Sequence, residues 1–78
     1  MTLDEKQINA LKVVNKLSGG LLTTPAMFSK ICDELKFEKK NNNEGASVLQ
    51  YLEEKNYLRH NGYAYYLTAS GSDLIKSL

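Results

Sequence analysis

The dipeptide Asn61-Gly62, set between two short runs rich in tyrosine and leucine, limits the folds open to this chain more than any other feature. Asn-Gly tolerates the positive φ values of a type I′ turn, whose twist matches that of paired strands. The stretch from Tyr57 to Thr68 therefore reads as a β-hairpin. A two-residue loop at Asn61-Gly62 pairs His60 with Tyr63, Arg59 with Ala64, Leu58 with Tyr65 and Tyr57 with Tyr66. Side chains alternate across a strand, so Leu58, Tyr65 and Leu67 share one face, and Tyr57, Arg59, Ala64 and Tyr66 share the other. A helical pattern precedes the hairpin, and Thr68 is placed to cap another helix after it. Helix, hairpin and helix in that order call for an α+β fold.

The remaining elements follow from apolar spacing and end signals. Thr2-Leu3-Asp4-Glu5 fits a capping box, with Thr2 accepting from the first turn and Glu5 reaching back. Ile8, Leu11, Val14 and Leu17 recur at helical spacing, and Ser18-Gly19-Gly20 stops that helix because glycine takes the left-handed conformation without steric cost. The spacing predicts a first helix over roughly residues 3–17. Leu21-Leu22-Thr23 is long enough only for a token third strand beside the hairpin. Thr24-Pro25 reads as the start of a second helix, a hydroxyl cap followed by proline at the first helical position. Phe28, Ile31, Cys32 and Leu35 line one face of it, ending near Lys36. After a polar stretch from Phe37 to Asn43, the Asn41–Asn43 run offers a cap for a third helix reaching to about Lys55. Gly45, Val48, Leu49 and Leu52 form its buried side, and Asn43, Ser47, Gln50 and Glu54 centre the opposite one. Asn56 suits the left-handed cap that ends it. A last short helix carries Leu74, Ile75 and Leu78 as its apolar positions.

At 78 residues the chain is one small domain, residues 1–78, with 42% hydrophobic residues to build a core. Ten basic residues against nine acidic ones leave a net charge of +1. A nucleic-acid reading must therefore rest on where the charges lie, since their sum says nothing. The single cysteine, Cys32, rules out an internal disulfide and a thiolate cluster, and its place on an apolar face reads as a core thiol. No basic run followed by an apolar core opens the chain, and no apolar run is long enough to span a membrane. The expectation is a cytoplasmic protein with no metal, no cofactor and no membrane association.

Two stretches carry a family resemblance: V-L-Q-Y-L-E-E-K-N-Y-L-R from Val48 to Arg59, and Y-Y-L-T-A-S-G-S-D-L-I from Tyr65 to Ile75. They resemble the winged helix-turn-helix superfamily, in particular small transcriptional regulators similar to the MarR and PadR types. Asn56 stands where that family usually has glycine, a substitution the left-handed cap tolerates. The match covers about the last 35 residues well, while the first half agrees only in element order. The resemblance implies a winged helix: a three-helix core, a two-stranded hairpin wing with a short third strand, and a C-terminal helix. Three features depart from the family pattern. The long dimerisation helices that flank many such regulators, and a ligand-binding domain, are not expected from this sequence. The wing is a tight two-residue turn, and the loop before the third helix is longer than the compact turn of a helix-turn-helix.

In the family's docking mode the third helix enters the major groove of double-stranded DNA with its N-terminus first. The resemblance then places Asn43, Ser47 and Gln50 toward the bases. Asparagine and glutamine can make paired hydrogen bonds to adenine N6 and N7. Lys36, Lys39 and Lys40 precede that helix where phosphates would lie, and Arg59 and His60 flank the wing tip near another phosphate. Glu38 and Glu44 oppose such binding. The alternative is a winged-helix module for protein–protein contact, which the balanced charge favours. Four of the five tyrosines lie between Tyr57 and Tyr66, and a Tyr57–Tyr66 pair left uncovered would expose an aromatic patch. With Leu74, Ile75 and Leu78 it would form a homodimer surface. Nothing in the sequence supports an enzyme. His60 is the sole histidine, and no phosphate-cradling loop, two-histidine helix or nucleophile elbow is present.

Overall fold

The structure, a computed structural model, describes residues 3–35 and 43–78. Its first helix, α1, spans Glu5–Leu17 and begins where a side chain can serve the free amides of the first turn. The Asp4 carboxylate accepts from the Gln7 N–H at 2.8 Å, and Gln7 Oε1 accepts from the Asp4 N–H at 3.0 Å. This is a reciprocal capping box, two residues later than the expected one at Thr2 and Glu5. Aspartate ranks above threonine as a helix cap, and Gln7 three residues on completes its box, so the later pair wins. Thr2 itself lies outside the described residues. At the other end, the Gly20 N–H donates to the Asn15 carbonyl at 2.9 Å and the Gly19 N–H to that of Lys16 at 3.2 Å. Gly19 and Gly20 hold φ of 64° and 78°, so the helix closes in a Schellman motif as its glycines predict.

The next segment departs from expectation. Thr24-Pro25 does not open a helix, and the exposed Leu21-Leu22 does not form a strand. A two-residue strand, β1, occupies Ala26–Met27, and helix α2 follows directly over Phe28–Leu35. β1 lies antiparallel to a later strand, with Ala26 opposite Tyr65 and Met27 opposite Ala64. Ladder hydrogen bonds and the full burial of Ala26 outweigh the local helix-start signal. Proline immediately before a strand removes no donor from the ladder. The Phe28 N–H donates to the Tyr63 carbonyl at 2.8 Å, tying the first residue of α2 to the hairpin.

Helix α3 runs over Asn43–Glu54 with Gly45, Leu49 and Leu52 buried and Val48 half-buried, the face that its spacing predicts. It closes in a second Schellman motif. The Tyr57 N–H donates to the Leu52 carbonyl and the Asn56 N–H to that of Glu53, both at 2.9 Å. Asn56 holds a φ of 69°, the left-handed value expected of it.

Strands β2 (Leu58–Asn61) and β3 (Ala64–Leu67) form the predicted hairpin in a different register. Leu58 faces Leu67, Arg59 faces Tyr66, His60 faces Tyr65 and Asn61 faces Ala64. The loop is Gly62-Tyr63, one residue later than Asn61-Gly62. A type I′ turn at Asn61-Gly62 needs positive φ at both residues, and only Gly62 has it, at 64°. Glycine alone at the first central position is the type II′ pattern. Every cross-strand partner thereby moves by two residues, so each side chain keeps its expected face while Tyr57 loses its pairing with Tyr66. Tyr57 lies outside the strand in the corner between α3 and β2.

Helix α4 (Ala69–Ser77) completes an α+β arrangement that, among the described residues, has four helices and one three-stranded antiparallel sheet, ordered β1-β3-β2. Thr68 caps α4 as predicted, its hydroxyl accepting from the Gly71 N–H at 3.0 Å. Leu11 and Val14 of α1, Ile31 of α2, Leu49 and Leu52 of α3, and Leu58 and Leu67 of the sheet are fully buried together. Each leucine removed from water in this way contributes about 2 kcal/mol. An exposed ion pair, Lys16 Nζ to Glu34 Oε2 at 3.1 Å, bridges α1 and α2 and adds little to that core.

Candidate nucleic-acid interface

Burial of Gly45, Leu49 and Leu52 fixes the rotation of α3, and that rotation leaves Ala46, Ser47 and Gln50 exposed. Gln50 Nε2 donates to Glu54 Oε1 one turn on at 3.4 Å, a long hydrogen bond that leaves the amide easily redirected. Asn43 opens the helix, and its side chain lies outside the description, as do Lys36, Lys39 and Lys40 altogether. Among the described residues, the phosphate candidates are therefore Arg59 and His60.

These two neighbours on β2 point to opposite faces of the hairpin and meet different surroundings. Arg59 is exposed, and its guanidinium lies over the Tyr66 ring at 4.5 Å from the centroid. The register brings this about, since Arg59 and Tyr66 are directly opposite across the strands. The aromatic patch expected from Tyr57 and Tyr66 is replaced by this cation–ring pair. Tyr57 instead is half-buried and packs against the core. His60 turns toward α3. Its Nδ1 meets Glu53 Oε2, and its ring stacks on Tyr65 across the strand pair, with centroids 5.6 Å apart and planes 30° from parallel. Tyr65 in turn lies 6.3 Å from the ring of Phe28 on α2. A line of contacts thus joins α3, both hairpin strands and α2.

The electrostatics follow from this packing. Burial pushes the Tyr65 hydroxyl above its ordinary value, and the nearby Glu53 carboxylate and Cys32 thiol push it further the same way. Cys32 is half-buried on α2, and its thiol is raised by burial first and by Asp33 second. A raised thiol holds less of the reactive thiolate, in keeping with a packing role.

Of the residues expected at a dimer surface, Leu74 and Ile75 are half-buried and packed against the chain's own core. Tyr66 is half-buried beneath Arg59, and Leu78 at the end of α4 is 57% exposed. Sequence reasoning missed Tyr63, which is 76% exposed at the second position of the turn. Met27, Phe28, Ser29 and Tyr63 border a shallow groove beside the hairpin tip. Counting the Asn61-Gly62 pair as a type II′ possibility would have moved Tyr63 from strand to tip. Glu53 was missed as the partner of His60, since nothing local in the sequence links a helix end to a strand seven residues away.

Among the described residues, no group of three or more histidine, cysteine, aspartate or glutamate side chains is placed to hold a metal ion. No described helix is long and apolar enough to cross a membrane. No family model, curated protein or solved structure matches this chain.

Proposed function

We propose that this chain is a winged-helix domain that binds double-stranded DNA, with α3 entering the major groove and the β2–β3 hairpin resting on the backbone. The order helix, strand, helix, helix, strand, strand, helix and the sheet order β1-β3-β2 support the winged-helix reading. The observation that carries the DNA reading is a juxtaposition. Ser47 and Gln50 are exposed on α3, Arg59 is exposed on the hairpin, and the Glu53–His60 contact holds the two elements together. Gln50 supplies a paired donor and acceptor for adenine, and Arg59 supplies a phosphate contact. Lys36, Lys39 and Lys40 extend the positive side of this proposal, and Asn43 its base-facing side. As a transcriptional regulator in the cytoplasm the domain would act as a homodimer, with Leu78 and neighbouring α4 residues at the contact.

A second reading, a module for protein partners, draws support from the net charge of +1 and from the exposed Tyr63 and Met27 beside one groove. An amide-shift titration with duplex DNA at low salt separates the two. Shifts at Ser47, Gln50 and Arg59 support the DNA reading. No binding of a random duplex at micromolar protein and about 50 mM salt ends it, because non-specific affinity is then at its strongest.

A further inference from the structure

The contact between His60 and Glu53 has a consequence for hydrogen-bonding chemistry at the hairpin. A carboxylate can only accept, so a neutral His60 ring meets Glu53 with its one proton on Nδ1. Its Nε2 is then a bare acceptor, which repels a phosphate oxygen. Once the ring takes a second proton, Nε2 becomes a charged donor while Nδ1 keeps its bond to Glu53. We propose that His60 is a proton-gated phosphate contact and that Glu53 is the positioning residue that sets the gate by holding the ring in the Nδ1–H tautomer.

The inference rests on the DNA reading and names the regulation of that surface. His60 is the only histidine in the chain. Histidine is the one side chain whose charge ordinarily changes between pH 5 and 8. Among the described residues, the groups facing the ring are few. Glu53 approaches from α3, and Tyr65 stacks on it from β3. Phe28 of α2 neighbours the Tyr65 ring, the Cys32 thiol acts electrostatically on the Tyr65 hydroxyl, and Arg59 occupies the opposite face of the hairpin over Tyr66. Both Tyr65 and Cys32 titrate above their ordinary values, so neither contributes near neutrality. His60 is exposed and Glu53 partly so, which leaves the ring reachable by a ligand.

The test measures affinity for a short duplex at about pH 6 and about pH 8 at constant low salt, for the wild-type chain, His60→Gln and Glu53→Gln. Urea unfolding of each variant verifies that it is folded at both pH values. The wild type is expected to bind about fivefold tighter at the lower pH, consistent with linked uptake of up to one proton. His60→Gln is expected to lose that dependence. In Glu53→Gln the amide can donate to Nδ1, which frees the neutral ring to carry its proton on Nε2. Binding by that variant is expected to be tighter than wild type at the higher pH and to change less with pH, the remaining change coming from the charge the ring still gains at the lower value. A wild type insensitive to pH overturns the inference while leaving the DNA reading in place, and so does a dependence that survives His60→Gln or is undiminished in Glu53→Gln. No binding by the wild type at either pH overturns the DNA reading, and the inference falls with it.

Discussion

Gly71 packs so tightly against the Tyr57 peptide that a Cβ on it would enter the envelope of the Tyr57 carbonyl oxygen and lie 3.1 Å from its carbon. The obstacle is backbone, held by a bond from the Thr68 N–H to that same carbonyl at 3.2 Å. Gly71→Ala must therefore push the first turn of α4 off the α3–β2 corner. The expected cost is about 2–3 kcal/mol, read as a lower urea midpoint with little change in slope. In a domain whose total stability is about 5–10 kcal/mol, that is a large share.

Thr68 joins the same corner through its side chain. Its hydroxyl donates to the Asn56 carbonyl at 2.6 Å while accepting from the Gly71 N–H at 3.0 Å. Thr68→Ala removes a helix cap and a turn bond together and is expected to cost about 1–2 kcal/mol. Thr68→Ser keeps both hydroxyl bonds and should retain most of the stability. Thermal unfolding of the pair makes the comparison.

Asn56 sits at a φ of 69°, where a side chain costs more than none. Asn56→Gly is expected to be neutral or stabilising by up to about 1 kcal/mol, and Asn56→Val destabilising by about 1–2 kcal/mol. Chemical denaturation with amide exchange at Tyr57, whose N–H closes the Schellman motif, measures both effects.

On the proposed DNA-binding surface, residues assigned to bases and to the backbone should separate by salt dependence. Arg59→Ala is expected to weaken binding to all duplexes alike and to flatten the log–log salt slope by about one unit. Lys39→Ala with Lys40→Ala should act in the same sense. Gln50→Ala should change sequence preference by about 1–3 kcal/mol at one position and leave the slope unchanged. Fluorescence anisotropy over a salt series reads both quantities.

At high pH the raised groups make a further demand. The Tyr65 hydroxyl and Cys32 thiol both have folded values above their unfolded ones, so folding favours their neutral forms. Their contribution is fully present below the unfolded values, about 8.5 for cysteine and 10 for tyrosine, and is lost as pH rises through the folded ones. Stability should therefore decline above about pH 9. Tyr65→Phe should make the decline shallower above about pH 10, and Cys32→Ala should make it shallower at its onset.

The parts of this fold legible in the sequence are those set by local spacing. The apolar positions of α1 and α3 lie where the periodicity puts them, as do Leu74 and Ile75 of α4 though not the exposed Leu78, and Asn56 and Thr68 take the cap roles their chemistry suits. What escaped depends on distant partners. A two-residue strand has no period, so β1 is defined only by its pairing with Tyr65 and Ala64 far along the chain. The hairpin register escaped for another reason. A two-residue change of partner leaves every side chain on its face, so the apolar pattern cannot choose, and the same Asn-Gly pair serves two turn types. Of the candidate surface, Ser47 and Gln50 followed from helix rotation alone. The Glu53–His60 contact required knowing how the hairpin leans on α3.

The strand order has one further outcome, for behaviour in a crowded solution. The central rail of the sheet, β3, is satisfied on both sides, and the two outer rails are poor templates for growth. One is only two residues long, and the other carries a guanidinium and an imidazole along its four residues. An incoming chain finds too few free backbone groups on one flank and charge on the other, so stacking of molecules into fibrils has no easy starting point.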